Sequence, residues 1–217
     1  NDFSFFAQKE DFIANHMWGL NHVMDKFGNH LGNNVIIEDD YILQDLEELK
    51  KFKDKNILVV GAGPTAKEVN WQETDYDYIW SCTKFYLNEQ LNNVSVDLAT
   101  VGGNVDLNDP EFNNYLSENN TICGFECGVS PFKSPDEMVQ FKERYPNRVF
   151  YYHPRYFSKL GAAARLLCLG SFVGAKQVSF VGFDGNPVGK KHAFEGKNKI
   201  HNEPWRNNET NDLYRRQ

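Results

Sequence analysis

Residues 55–71, KNILVVGAGPTAKEVNW, decide the fold class of this chain. The apolar run from Ile57 to Val60 predicts a strand buried on both faces, because a half-exposed strand would alternate apolar and polar residues. Gly61, Gly63 and Pro64 follow at once and predict a tight turn. A buried strand that runs straight into a glycine turn is typical of the first unit of a nucleotide-binding α/β domain.

Five further strands are predicted after this turn, at residues 76–83, 95–103, 120–126, 147–153 and 176–185. A short helix is predicted from Ser134, which stands as a cap before a proline, and a largely apolar helix is predicted over residues 160–174. The stretch NVDLNDPEF at 104–112 is expected to be a loop. Strands that alternate with crossovers predict the α/β class, with a single Rossmann-like three-layer domain and a mostly parallel sheet of about six strands.

The first 52 residues are predicted to be an N-terminal helical extension, and residues 53–217 the Rossmann-like domain. Two loosely 3.6-periodic stretches predict helices in the extension: residues 11–28, closed by Gly28, and DDYILQDLEELKKFK at 39–53. The polar tail from about residue 186 to residue 217 is irregular, which indicates a C-terminal lid over a functional site or a frayed end.

Charge and cysteine usage exclude several classes of protein. The 217 residues carry a formal net charge of −7, which argues against a general nucleic-acid binder. No apolar run reaches the roughly 18 residues that a transmembrane helix needs. The four cysteines lack the spacing of a zinc site, so we expect no bound metal. We expect their thiols to be reduced, which is typical of a cytoplasmic protein. The expected localisation is therefore the cytoplasm, with the periphery of the inner membrane as a second possibility.

The glycine turn formally fits a dinucleotide fingerprint, since residues 61–66 read G-A-G-P-T-A after a strand. That fold also needs an acidic residue at the end of the second strand to hold a ribose. The second strand here ends in Ser81-Cys82-Thr83-Lys84, without an acid. The crossover TAKEVNWQETDYD leaves room for about two helical turns, which is too short for the first helix of a dinucleotide fold. NAD and FAD are therefore disfavoured.

Four stretches occur in an order that resembles a known family: VVGAGPTAKEVNW, DYIWSCTKFYLNEQ, GAKQVSFVGFDG and KKHAFEGK. Together they resemble the bacterial sialyltransferases of glycosyltransferase family 42. They are also similar to the related MptE-like group, which contains pterin pyrophosphokinases. The resemblance covers residues 55–197 and leaves the first 50 or so residues outside.

The resemblance implies a modified Rossmann-like sheet that binds a CMP-sugar without a required metal or other cofactor, and sugar transfer to an acceptor hydroxyl with inversion. It implies that Gly61, Ala62 and Gly63, with the adjoining Pro64 and Thr65, line the nucleotide. Thr83 falls where the family has an amide side chain that contacts the donor, although Ala62 stands where the family has asparagine. Further implied site residues are Asp184 beside the donor, Asn186 and His192 at the leaving phosphate, and His201 as general base.

The residues themselves support some of these positions. Ligands bind open α/β sheets at the carboxyl ends of the strands, where Gly102, Gly103, Arg155 and Asp184 lie in sequence. Paired glycines there fit a close approach of the backbone to a ligand, or a simple turn. His192 and His201 lie in a stretch rich in lysine and arginine, which suits a nucleotide phosphate or is a solvated basic loop.

The leading hypothesis is a glycosyltransferase that moves a sugar from a CMP-sugar-like donor to a glycan acceptor hydroxyl, with a homo-oligomer as an open possibility. One rival is an MptE-like pyrophosphokinase, which would need an acidic metal site. The acidic candidates for that site are Asp97, Asp106, Asp109 and Asp184. The other rival is a catalytically degenerate domain that binds a nucleotide or a glycan.

Overall fold

A computed structural model describes residues 35–38, 41–44, 46–102, 105–126, 132, 135–153 and 162–183. The strands are β1 Val35–Glu38, β2 Tyr41–Gln44, β3 Asn56–Val60, β4 Tyr78–Cys82, β5 Leu98–Val101, β6 Ile122–Glu126, β7 Val149–His153 and β8 Gln177–Val181. The α-helices are α1 Pro110–Glu118, α2 Pro135–Arg144 and α3 Ala162–Phe172. Short 3-10 helices span Glu47–Phe52, Pro64–Glu68, Phe85–Leu87 and Glu89–Leu91.

These strands form one sheet in the order β1-β2-β7-β6-β5-β4-β3-β8. The six strands β3 to β8 are parallel, which confirms the predicted α/β fold. The chain moves stepwise from β3 to β7 and then returns across the sheet to β8. Right-handed crossovers in opposite directions place their helices on opposite faces of a sheet, so α1 and α2 lie on one face and α3 on the other.

Each face of the sheet carries its own hydrophobic core. Alternate residues of β3 show this, because Leu58 and Val60 join one cluster while Ile57 and Val59 join the other. The first cluster receives side chains from α1 and α2, namely Phe112, Leu116, Met138 and Phe141. The second receives side chains from α3 and the first 3-10 helix, namely Leu166, Leu169, Leu49 and Phe52. Burial on both faces explains the uninterrupted apolar run.

The predicted helix over residues 39–53 is wrong. Its first part forms β2, which pairs antiparallel with β1 and with the outer edge of β7 through Ile42–His153 and Leu43–Tyr152. Its second part is the 3-10 helix, whose Leu49 and Phe52 pack on the sheet. Pairing with an open strand edge outweighs the loose helical period of the sequence. The predicted helix at 11–28 and the predicted lid lie outside the described residues, and the domain boundary at residue 52 stays a prediction.

Helix α1 begins inside the stretch that was expected to be a loop. Asp109 caps it by accepting a hydrogen bond from the amide of Glu111, and Pro110 occupies the first turn. Both are helix-start signals, so the sequence already contained the evidence. The two helices predicted further along are confirmed as α2 and α3. None of the helices in the described part of the chain is long and apolar enough to cross a membrane.

Candidate functional site

The carboxyl ends of the six parallel strands meet at one edge of the sheet, which we call the carboxyl edge. Four segments reach it directly from strands: the turn at residues 61–65 after β3, Thr83 after β4, Gly102 after β5 and Gly182 after β8. Strands β3, β4, β5 and β8 are neighbours in the sheet, so these segments lie side by side. Ligand sites of open α/β sheets lie at this edge.

Gly61 is needed because the turns after β3 and β8 touch. A methyl group on Gly61 would lie 2.4 Å from the carbonyl oxygen of Gly182, and one on Gly182 would lie 2.7 Å from the carbonyl oxygen of Gly61. Gly182 also has a positive φ of 75°, a conformation that side chains disfavour. Close packing of two backbones therefore accounts for both glycines.

Hydrogen bonds tie the two turns together. The amides of Gly61 and Gly63 donate to the carbonyls of Val181 and Gly182, each at 2.8 Å. The amide of Gly182 in turn donates to Thr65 Oγ1 at 3.1 Å. Two of the turn's amides are thus already used within the protein. The predicted role of Gly61 and Gly63 in nucleotide binding stays a prediction, but these two N–H groups are not available to a phosphate.

Thr83 has a strained backbone. Its φ is +57°, in the left-handed region, and it is a β-branched residue, for which this conformation is a clear outlier. Its amide donates to the carbonyl of Thr100 at 2.7 Å, so the strain is held by the neighbouring strand. Among the residues that the structure describes, the other non-glycine residues with positive φ are Asp54 and Asn147, which belong to types that tolerate it.

Gly102 stands next to Thr83 at the carboxyl edge, since Cys82 pairs with Thr100 in the sheet. No described atom lies within 4 Å of the place where its side chain would begin, and its φ is not in the left-handed region. Neither packing nor backbone conformation in the described structure therefore requires glycine here. Open space at this position fits the approach of a ligand to the backbone.

A hydrogen bond fixes the segment that follows Thr83. The Tyr86 hydroxyl donates to Asp109 Oδ2 at 2.9 Å, while Asp109 Oδ1 accepts from the amide of Glu111. Burial, followed by this carboxylate, raises the pKa of Tyr86. Both carboxylate oxygens of Asp109 therefore accept hydrogen bonds within the protein.

Asp97 lies at the amino end of β5, where it accepts from the amide of Ile79, so it is remote from the carboxyl edge.

Asp97 is not brought together with the other acidic residues proposed for a metal site, whereas Asp106 and Asp109 are neighbours, since the amide of Asp109 donates to the carbonyl of Asp106 at 3.1 Å. Asp97 and Asp109 are at opposite ends of β5, and Asp106 Oδ1 accepts from the amide of Asn108. Among the described residues, no three histidine, cysteine, aspartate or glutamate side chains are grouped so that they could hold a metal ion. Asp184 is not described.

Sequence reasoning missed a buried ion pair near the same edge. Arg165 Nη1 on α3 lies 3.4 Å from Glu126 Oε2 at the end of β6, and their side chains are only 8% and 3% exposed. Buried charges are rare unless they are paired. A glutamate that ends the strand TICGFE and an arginine within the helix AAARLLC were the signals that could have identified the pair.

Several predicted site residues lie outside the described residues: Gly103, Arg155, Asp184, Asn186, His192 and His201. Their roles stay predictions.

A cavity of about 350 Å³ lies between residues 85–95 and α1. It reaches Ser95 and Asn119, which precede β5 and β6, and their side chains hydrogen-bond each other at 3.2 Å. This cavity extends toward the amino ends of the strands and is not our candidate site.

No family model matches this sequence, and no curated protein matches it. Solved sialyltransferases of Campylobacter jejuni share its fold. CstII with cytidine-5'-monophosphate gives a TM-score of 0.51 at 15% sequence identity, over 68% of this chain and 69% of that chain. The monofunctional alpha-2,3-sialyltransferase Cst-I gives 0.50 at 15% identity, over 74% of this chain and 70% of that chain.

A second CstII structure, with the substrate analogue CMP-3FNeuAc, gives a TM-score of 0.49 at 15% identity, over 67% of this chain and 66% of that chain. The chain therefore spans about two thirds of the length of these sialyltransferases. At such low identity, the likeness of the two higher-scoring structures shows a sialyltransferase-like fold alone.

Proposed function

We propose that this protein is a glycosyltransferase that moves a sugar from a CMP-sugar-like donor to a hydroxyl of a glycan acceptor. The observation that carries the proposal is the strained backbone of Thr83 at the carboxyl edge. The resemblance of the sequence motifs implies a donor-contacting residue at this position, and the fold is like that of sialyltransferases, one of which was solved with cytidine-5'-monophosphate.

The strain at Thr83 supports a binding role because it has a cost. A left-handed backbone costs an ordinary L-residue about 1–2 kcal/mol. Such outliers persist where the surrounding structure enforces them, and they cluster at active sites and ligand clamps. Asparagine or glycine would fit this φ with less strain, and the only aid the described structure records for the threonine side chain is a hydrogen bond with the neighbouring Cys82 thiol. A threonine hydroxyl can both donate and accept a hydrogen bond, which suits contact with a ribose or sugar hydroxyl.

Gly102 supports the same location. It lies beside Thr83, and no atom of the described residues lies within 4 Å of the place where its side chain would begin. A ligand at this place could contact the backbone of β5 while it contacts Thr83 on the adjacent strand. The donor would then lie over the ends of β4 and β5, with the turn at residues 61–65 on its other side.

The chemistry of inverting transfer assigns roles to the remaining predicted residues. The acceptor oxygen attacks the anomeric carbon, the bond from that carbon to the phosphate oxygen breaks, and a base takes the acceptor proton. His201 is proposed as that base. Asn186, His192 and Arg155 would stabilise the departing phosphate, and Asp184 would contact the donor. No metal or other cofactor is part of the proposal.

A nucleotide screen tests the proposal directly. The unfolding temperature of the full chain should rise with CMP more than with UDP, GDP, ATP or NAD. A ligand at a hundredfold excess over its dissociation constant stabilises a protein by about 2.7 kcal/mol. Stabilisation by ATP only in the presence of magnesium would favour the pyrophosphokinase. No response to any nucleotide would exclude both enzymes and favour a degenerate scaffold.

The histidines provide a test of the catalytic roles. Replacement of a general base typically lowers turnover by about 10²–10⁴-fold. We therefore expect His201→Ala to slow release of CMP from the donor by a factor of this order. His192→Ala should slow it as well, because it removes a group proposed to stabilise the departing phosphate, and in both variants the dissociation constant for CMP should change much less. The exposed Lys176→Ala serves as a control that should leave both quantities unchanged. Full activity in both histidine variants would contradict these assignments.

A further inference from the structure

The Glu126–Arg165 pair lies where the second face of the sheet meets the carboxyl edge. Glu126 is the last residue of β6, and Arg165 is in the first turns of α3. Glu126 pairs with Tyr152 of β7 in the sheet, and both charges act on the buried Tyr152 hydroxyl. The pair therefore connects the end of a central strand to the beginning of the helix that crosses back toward β8.

The geometry of the pair is poor for stabilising the fold. Arg165 Nη1 contacts Glu126 Oε2 at 3.4 Å, which is long for a hydrogen bond between two charged groups. Arg165 Nε is buried and has no hydrogen-bond partner among the described residues. Removing two charges from water is costly, and well-packed apolar replacements of buried ion pairs are often neutral or stabilising.

The position of the pair gives it a different use. Both residues are buried, and Val101 pairs with Phe125 in the sheet, so Glu126 lies beside Gly102 at the carboxyl edge. The residues that contact a ligand are held in place by the buried residues behind them. A shift of about 1 Å in site geometry can reduce function by about 10²-fold. A charge pair that is weak for stability can therefore still be important for the placement of two elements at the carboxyl edge.

We propose that Glu126 and Arg165 are positioning residues of the donor site, which hold the beginning of α3 against the end of β6 in the arrangement that nucleotide binding requires. This inference rests on the proposed function. It assigns neither residue a contact with the reacting atoms.

The test replaces both charges by apolar side chains of similar size. The double variant Glu126→Leu/Arg165→Met should unfold at the wild-type temperature or above it, whereas its dissociation constant for CMP should rise at least about tenfold. Glu47→Leu/Lys50→Met is the matched control, because this ion pair is 79% and 63% exposed. In this control the dissociation constant for CMP should stay within about twofold of wild type, and the unfolding temperature within about a few degrees.

A conservative variant covers the case in which the double variant does not fold. Arg165→Lys keeps the charge but not the reach of the guanidinium, and it should fold and bind CMP at least about threefold more weakly. Wild-type affinity for CMP in a variant that folds would overturn the inference. Failure of both variants to fold would overturn it too, because the pair would then be required for the stability of the fold. If wild type itself binds no nucleotide, the proposed function fails and the inference fails with it.

Discussion

Gly61 and Gly102 both follow a strand at the carboxyl edge, but the described structure requires only Gly61 to be glycine. At Gly61 a methyl group would lie 2.4 Å from the carbonyl oxygen of Gly182, while at Gly102 it would meet no described atom within 4 Å. The identity of Gly61 therefore belongs to the fold. The described residues give no packing reason for glycine at position 102, and in the proposed function a ligand supplies that reason.

Alanine substitutions separate these two roles. Gly61→Ala should lower the free energy of unfolding in urea by about 1–3 kcal/mol, because the β3 and β8 turns must move apart. Gly102→Ala should stay within about 0.5 kcal/mol of wild type and weaken CMP binding by about tenfold, because the methyl group would occupy ligand space. Equal stability losses in the two variants would contradict this distinction.

Thr83 allows a test of backbone strain. Thr83→Asn should raise the free energy of unfolding by up to about 1 kcal/mol, because asparagine tolerates the left-handed region better than a β-branched residue. Asn147→Thr is the matched control, since Asn147 has a φ of 59° at an exposed position. It should destabilise the protein by a similar amount. A loss of stability in Thr83→Asn would show that the threonine side chain matters more to the fold than its strain.

Among the structural elements, α1 shows how a local signal is reinforced by tertiary contacts. Asp109 caps the helix with one carboxylate oxygen and accepts the Tyr86 hydroxyl with the other, so the segment after β4 is joined to the loop after β5. Phe85, Tyr86 and Phe112 then pack together, with ring centroids 5.2–6.3 Å apart. This link holds the part of the chain that begins at Thr83.

A double-mutant cycle measures that link. Tyr86→Phe should cost about 1 kcal/mol of unfolding free energy, the usual net value of one hydrogen bond, or somewhat more because the acceptor is charged. Asp109→Ala should cost more, about 2 kcal/mol, since it also removes the helix cap. The double variant should be less destabilised than the sum of the two, because both single changes remove the same bond. Strict additivity would show that the hydrogen bond contributes nothing in solution.

The pairing of β1 and β2 is an arrangement that the sequence patterns predicted wrongly, since they indicated a helix over residues 39–53. A short apolar stretch such as YILQ fits a helix face or a strand equally well. Its state was decided by the unpaired outer edge of β7, with which β2 pairs at Ile42 and Leu43. That edge is contributed by residues more than 100 positions further along the chain, so no local pattern could reveal it.

Across the whole molecule, buried thiols predict a loss of stability at alkaline pH. Burial raises the pKa of Cys123 from an ordinary value of 9.0 to about 12, and that of Cys82 to about 11. The folded state thus binds these protons more tightly than the unfolded chain. Their stabilising contribution is full below about pH 9 and is lost as the pH rises toward the folded values.

Urea unfolding between about pH 8 and about pH 10.5 measures this effect. Each such thiol steepens the decline by up to about 1.4 kcal/mol per pH unit above its unfolded pKa. Cys123→Ala should make the decline shallower, whatever its effect at neutral pH. Cys168→Ala, at a half-buried position, should change the slope less. An unchanged slope in Cys123→Ala would mean that its thiol titrates normally in the folded protein.

Local patterns determined the parallel strands β3 to β8, α2, α3 and the short crossover after the glycine turn. Apolar runs, turn residues and helix caps act over a few residues, so one sequence reveals them. Gly102 was also identified as a site candidate because it ends a predicted strand, and Thr83 because it falls where the family that the sequence resembles has a donor-contacting side chain. Their strain and their open surroundings could be seen only once β4 and β5 were paired.

The tertiary structure alone decided the hairpin at the β7 edge, the contact between Gly61 and Gly182, and the pairing of Glu126 with Arg165. These contacts join residues far apart in sequence, 39 positions for the ion pair and 117 for the bond from Gly182 to Thr65. A lone glycine or a lone charge in an apolar segment indicates that it needs a close neighbour or a partner. Which neighbour it receives depends on the order of the strands, because that order brings distant segments to the same edge of the sheet.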